Sequence, residues 1–503
     1  MYSSKLLKIL ATFTNREIIK CELFVESPFF NKRKELVTFY KYVTNYHPDY
    51  EHHTLKAEQA FQYMYPEDVF SEPKLRHLMS GLTKLLEQFL IQLALQKSES
   101  DQQRKLLKSY AERNLLKIFD TTFKKHVRKV DTQPIRNIEY YHHQYLIKKQ
   151  KAEVHNEKID NILETANDLD IFYITAKLHN ACLIEAFKER IQVDFEVEDL
   201  FLMPQIFKHI ETHPEQQKAP AIFVYYLIYK MLSAPDKMQD QYFEDLLGQL
   251  KNQKIHFIES EIDSMYLYAQ NYCIKRINQN QQSYRLKLFE LYEMRLQNNF
   301  IILPEWEYLN IVRLSIDLKE FQFTAKFIKD YENKIKIDSK KEKKKEEEEQ
   351  DEKEKKNAPN LAKALYEFSQ KNWDKTLSHL QRVHISDSLY YLHTNTVMIK
   401  VYYEKKQKAP LGFLIKAFNM YLQRSHKSQL SLAYIKRYKR LAKYLRRLNR
   451  IQELIGKREK KKAALALQKI IDEINKDKTV ADIDWLREKI NELLLKLGMK
   501  VIE

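Results

Sequence analysis

Glycine is almost missing from this sequence. Five occur in 503 residues, at Gly81, Gly248, Gly412, Gly456 and Gly498, where ~7% glycine would give ~35. Glycine supplies positive φ and lets a backbone approach a ligand closely. The phosphate loop of nucleotide-binding proteins, the dinucleotide fingerprint, the kinase glycine loop and the hydrolase nucleophile elbow all need grouped glycines. None can be written here. Gly456-Lys457 is followed by Arg458 with no earlier glycine near it, so it does not complete a phosphate loop. Asn-Gly and Asp-Gly are also absent, which argues against antiparallel hairpins.

Cysteine is scarce as well. Cys21, Cys182 and Cys273 are odd in number and far apart, so they offer neither a disulfide framework nor a metal knuckle and suit a reducing compartment. Long apolar runs are lacking. The most apolar window, Ala219 to Leu232, contains Lys230 and is shorter than the ~20 residues a spanning helix needs. It reads as a buried helix, and the chain as not transmembrane. Lys8 interrupts the apolar run at the start, so those residues do not read as a signal peptide. A cytoplasmic location is expected.

What is present is helical periodicity. Apolar residues are 44% and charged residues 31%, a charge-rich globular composition. Thr14-Asn15-Arg16-Glu17 has the form of a capping box, and Ser71 before Glu72-Pro73 that of a helix start. The helix beyond it carries Leu75, Leu78, Leu82, Leu85, Leu86 and Phe89, a stripe wide enough to bury. Prolines such as Pro134, Pro204, Pro235, Pro304 and Pro410 fall between periodic runs. The fold class is all-α, with helices in antiparallel pairs. One segment differs: 339–356 reads SKKEKKKEEEEQDEKEKK, without one apolar residue. It is read as a solvated charged insertion, a partner-binding tail being the other reading.

Two helix-turn-helix units flank that insertion. Phe321, Thr324 and Ile328 lead one second helix, and Trp373, Thr376 and Leu380 lead the other at the same spacing. Phe321 and Trp373 lie 52 positions apart, or 34 without the 18-residue insertion. That is the tetratricopeptide period. Ala364, Trp373 and Thr376 follow the small-aromatic-small order, and Lys371-Asn372 stands at the tight turn. Tyr242 and Tyr284 lead earlier second helices. Over roughly 200–425 the chain resembles tetratricopeptide-like helical repeats, with lysine replacing the turn glycine. The start of the chain, with Ser27-Pro28-Phe29-Phe30-Asn31, is similar to a family of bacterial cytoplasmic helical proteins that share an SPFFN segment and a repeat-like C-terminal half. That resemblance implies a fold and no chemistry.

The expected organisation is an N-terminal helical domain (1–98), a helical-hairpin array (99–338), the insertion (339–356), tetratricopeptide-like repeats (357–425) and a basic helical C-terminal arm (426–503). Together these read as an irregular tetratricopeptide-like α-solenoid. Stacked hairpins of this kind bury their apolar faces on one another and leave an extended concave surface.

Candidate chemistry is thin. His52-His53 and His142-His143 are adjacent, and neighbours on a helix point ~100° apart, so neither pair chelates a metal. Asp482 and Asp484 precede Trp485, where a helix N-cap accounts for one carboxylate. The tyrosine doublets at 140, 225, 390 and 402 offer base stacking, but bulky rings filling helix–helix gaps account for them more simply. Thr54–Met64 followed by Ser71–Leu95 faintly resembles a winged-helix reader, with a link longer than the ~3–4 residues of that turn. No catalytic residue, cofactor or metal is assigned, and the chain is read as not an enzyme.

Charge is the strongest local signal. The chain carries +17, and 424–462 holds 15 Lys or Arg against Glu453 and Glu459. Within it Lys436, Arg440, Lys443, Arg447 and Arg450 fall in an arc of about 80° on a helix. Tyr434, Tyr438, Leu441, Leu445 and Leu448 lie opposite. This basic ridge is a solvated outer face, a phosphate-binding surface for nucleic acid, or a dock for an acidic protein or anionic membrane. The functional expectation is a non-catalytic scaffold or adaptor that binds a protein partner on its concave surface. The alternative is a nucleic-acid-associated protein acting through the 424–462 helix.

Overall fold

The computed structural model describes residues 4–50, 55–155, 159–191, 195–213, 218–252, 256–297, 303–336, 356–385, 388–424, 432–476 and 479–501. The charged insertion lies outside them except for Lys356, as do His52 and His53. The described residues are overwhelmingly helical, so the all-α class is observed. The chain divides into two compact units, Met1–Ile262 and Asp263–Glu503. The division falls inside the span expected to be one hairpin array.

The first unit holds α1 (Lys5–Leu10), α2 (Asn15–Glu26), α3 (Lys34–Thr44), α4 (Ala57–Met64), α5 (Glu72–Lys97), α6 (Glu99–Glu112), α7 (Leu116–Asp131), α8 (Ile138–His155), α9 (Ile159–Ile191), α10 (Met203–Thr212), α11 (Pro220–Ser233) and α12 (Asp236–Asn252). The capping box at Thr14 is made: the Thr14 N–H donates to Glu17 at 2.9 Å and the Glu17 N–H to the Thr14 hydroxyl at 3.3 Å. Helices α1 to α5 enclose one core running from Leu6 to Phe89. Gly81 lets α5 lie close on α3, since a Cβ there would meet Leu36 at 3.3 Å. The SPFFN segment is a stapled turn. Asn31 donates to the Val25 and Arg33 carbonyls, and Phe30 stacks on Phe24 with centroids 4.1 Å apart. Helix α5 buries Leu75, Leu78, Leu82, Leu85, Leu86 and Phe89 in this core. The apolar window is α11, with Ala221, Ile222 and Val224–Tyr229 buried. Among the described residues no helix is long and apolar enough to cross a membrane.

Helix α13 (Glu259–Asn278) leads into the second unit. There follow α14 (Tyr284–Leu296), α15 (Glu305–Asp317), α16 (Phe321–Tyr331), α17 (Asn357–Ser369), α18 (Trp373–Gln381), α19 (Ser388–Glu404), α20 (Lys408–Arg424), α21 (Leu432–Gly456), α22 (Lys460–Lys476) and α23 (Ile483–Leu497). From α15 onward most helices pack on the next and several on the next but one. Leu303–Pro304 pairs in parallel with Ile335–Lys336 where the α15–α16 hairpin closes. This two-residue pair needs no hairpin glycine. A buried ion cluster ties α13, α14 and α15 together. Arg295 donates to Asp263 at 2.5 and 3.0 Å and also binds Glu307.

One turn recurs. Lys319, Lys371, Lys406 and Arg458 all have left-handed φ, between +54° and +64°. At each, the N–H bonds the carbonyl three residues back, and the next N–H bonds the carbonyl five residues before itself: Glu320 to Ser315, Asn372 to Glu367, Gln407 to Tyr402 and Glu459 to Leu454. This is the Schellman closure of a helix. The next helix starts two residues on in every case. Asn114 and Asn280 close their helices in the same way. Phe321 and Trp373 each begin the helix after such a turn, as Lys408 and Lys460 do, and Thr324 and Thr376 are both fully buried.

Candidate functional site

Helix α21 carries the predicted ridge. Its apolar side is buried as expected at Tyr438, Leu441, Leu445 and Leu448, while the Tyr434 side chain lies outside the described set. The basic side is divided in two. Lys443 and Arg447 both bind Glu473 of α22, at 2.7 and 2.8 Å. Arg440 donates to the Thr479 carbonyl at 3.1 Å. The two cations hold the Glu473 carboxyl below the usual carboxylate range, Lys443 contributing most. Lys443 and Arg447 join α21 to α22, and Arg440 joins it to the link between α22 and α23. Lys436 and Arg450 stay exposed.

The other edge of α21 faces α20. Between them lies an open cleft of about 390 Å³. Lys416, Asn419, Met420 and Gln423 line it from α20, and Arg446 and Asn449 from α21. No acidic side chain is among its lining residues. Asn419 donates one amide N–H to the Ile415 carbonyl at 2.9 Å, which leaves its second N–H and its oxygen for a ligand. Phe413, 77% exposed, lies one turn before Lys416 and Ala417 on α20. Sequence reasoning missed this edge because Lys416 and Arg446 lie on different helices and share no spacing pattern.

A second polar cluster gathers residues from four helices of the same unit. Asp482 binds Lys400 of α19, and Asp484 binds Arg285 of α14 at 3.3 Å. Asp482 does occupy the N-cap position of α23, but its backbone is left-handed and its side chain caps nothing. Its carboxyl serves the ion pair instead. Burial opposes its charge, yet Lys400, with Arg313 and His393, holds it below its ordinary value. Burial, aided by Arg313, pulls the His393 imidazole down to about 3. Asp317 is open to solvent but hemmed in by protein, so burial raises its carboxyl pKa despite Arg285 nearby. Trp485 donates to Glu404 at 3.2 Å, and Lys489 binds Glu404 at 2.7 Å. Thus α15 and α19 present Arg313, Asp317, His393 and Lys400 to the start of α23.

The remaining chemistry-bearing residues have structural settings. His143 pairs with His126 of the neighbouring helix, their Nε2 atoms 2.9 Å apart, whereas His142 stacks on Phe172. The relevant partner lay 17 residues upstream rather than next door. Among the described residues no group of three or more His, Cys, Asp or Glu could hold a metal. All three cysteines are buried and none is in a disulfide, and burial pushes the Cys21 thiol up to about 12. Of the tyrosine doublets, Tyr141, Tyr225, Tyr226, Tyr390 and Tyr403 are buried, which favours gap filling over stacking on bases. No family model, curated protein or solved structure matches the chain.

Proposed function

We propose that the chain is a non-catalytic helical-repeat scaffold that binds a partner protein on the face shared by α15 and α19. The recurrence of one turn geometry at Lys319, Lys371 and Lys406 carries this reading. Hairpins joined by identical turns stack in a regular way, and stacked hairpins offer a continuous surface for another chain. The link from repeat to partner binding is an analogy at the level of architecture. Ion pairing also favours binding over catalysis. Lys400, Arg285 and Lys489 neutralise Asp482, Asp484 and Glu404 rather than converging on an open pocket.

The test uses the full chain and a double variant, Arg313→Glu with Asp317→Lys. Both residues lie in the field of Asp482, Lys400 and Arg285, so the neutral pair Arg313→Gln with Asp317→Asn is measured beside the double variant, and a cooperative melt is required of each. A protein captured by the wild type after nuclease treatment and lost with the double variant supports the reading. Capture that is indifferent to the double variant removes this face from consideration.

A further inference from the structure

We infer that the cleft between α20 and α21 binds single-stranded nucleic acid, RNA in particular. The inference is independent of the scaffold reading, which concerns another face. Its starting point is the division of the basic ridge. Arg440, Lys443 and Arg447 are committed to Thr479 and Glu473. Glu473 offsets part of the charge on Lys443 and Arg447, and the Arg440 guanidinium is turned to Thr479, so these cations are engaged inside the fold and release fewer counterions to a phosphate than free ones do. Lys416 and Arg446 make no ion pair among the described residues. They flank one cleft whose lining contains no carboxylate to compete with a phosphate.

Three features favour a single strand over other polyanions. Two packed helices have axes only ~8–10 Å apart, so the cleft between them admits a strand and not a duplex. Asn419, Gln423 and Asn449 line it, and amide side chains suit base edges and the ribose 2′-hydroxyl, which a lipid headgroup or an acidic side chain does not present. Phe413, exposed and one helical turn before the lining residue Lys416, offers the flat surface on which an unpaired base stacks. The ring is supplied by α20, since Tyr438 and Tyr444 of α21 are buried. Lys436 and Arg450, exposed on α21, extend the positive field beyond the cleft.

The test is fluorescence anisotropy of a labelled single-stranded RNA of about a dozen nucleotides, within the usual site size, against the full chain. Lys416→Glu with Arg446→Glu should weaken binding at least tenfold. The neutral pair Lys416→Gln with Arg446→Gln should lower the slope of log K on log salt by about 1.4, for two phosphates at ~0.7 each. Phe413→Ala should cost about tenfold by removing one stacked base. Lys20→Glu with Lys32→Glu, exposed in the first unit, makes the same net-charge change and should alter affinity less than twofold. All substituted residues are exposed, so circular dichroism melts should match the wild type. The inference is overturned if the wild type does not bind the RNA at micromolar concentration. It is equally overturned if the cleft and control variants weaken binding alike, if Phe413→Ala changes nothing, or if phosphatidylserine vesicles bind while RNA does not.

Discussion

Glycine placed where this chain has lysine should make the protein more stable. Lys319, Lys371 and Lys406 sit at φ +64°, +61° and +54°. A side chain bearing a Cβ pays ~1–2 kcal/mol in that region. Glycine avoids this strain but loses ~0.5–1 kcal/mol more backbone entropy on folding. The balance is a gain of ~0.5–1 kcal/mol at each turn. The three turns lie in separate hairpins, so their effects should add, giving ~1.5–3 kcal/mol for the triple variant. For a unit of this size that is a melting shift on the order of 5 °C. The assay is urea unfolding followed by tryptophan fluorescence. Trp306, Trp373 and Trp485 all lie in Asp263–Glu503, so the signal reports that unit alone. Lys371→Asn should fall between, since asparagine tolerates the left-handed region. Lys371→Val should be the least stable, because a β-branched residue tolerates it worst. A triple glycine variant no more stable than the wild type would refute the assignment of strain to these turns.

Thr14→Ala removes the hydroxyl that accepts from the Glu17 N–H while keeping the backbone N–H that donates to Glu17, and should cost about 1 kcal/mol of stability in the first unit, read by chemical denaturation. Arg295→Leu leaves Glu307, which is fully buried, without its partner and should cost ~3–5 kcal/mol at neutral pH. With the arginine gone, the Glu307 carboxyl pKa rises further above its unfolded value. Its penalty should therefore ease as pH falls towards that value, as urea curves across pH would show. Burial pulls His143 down to about 4, with His126 adding to the shift. Between its ordinary 6.5 and about 4, the unfolded chain takes up a proton that the folded chain refuses. Stability should fall as pH drops through that window, by at most ~1.4 kcal/mol per pH unit from this residue. His143→Asn should flatten that part of the profile.

Helix identity was legible because it depends on local periodicity. The stripe from Leu75 to Phe89 is buried, and the Thr14 box is made. The starts of two second helices were legible at Phe321 and Trp373, which each begin a helix two residues after a left-handed turn. Left-handed turns at lysine and arginine were not readable residue by residue, because nothing in either side chain favours positive φ. They follow from the closure of one helix and the start of the next two residues later. The His126–His143 contact escaped notice because it crosses two helices whose register depends on the turn between them.

The basic ridge shows how a hairpin redistributes a pattern that looks uniform along one helix. Folding the chain back at Arg458 brings together residues equally distant from that turn. Lys443 and Glu473 each stand fifteen positions away, and they are bonded. The one carboxylate at that register draws in Lys443 and, one turn along, Arg447. Periodicity places cations on a face, but the neighbouring helices decide which of them remain available to a ligand. On α22 the neighbour is acidic at the point of contact, so the interaction is internal and worth little stability at the surface, ~0–1 kcal/mol per pair. On α20 the cation lining the shared cleft is Lys416, and no carboxylate lines that cleft to engage Arg446. Affinity for phosphate should therefore concentrate at that edge, although the five ridge cations lie within one arc of the same helix.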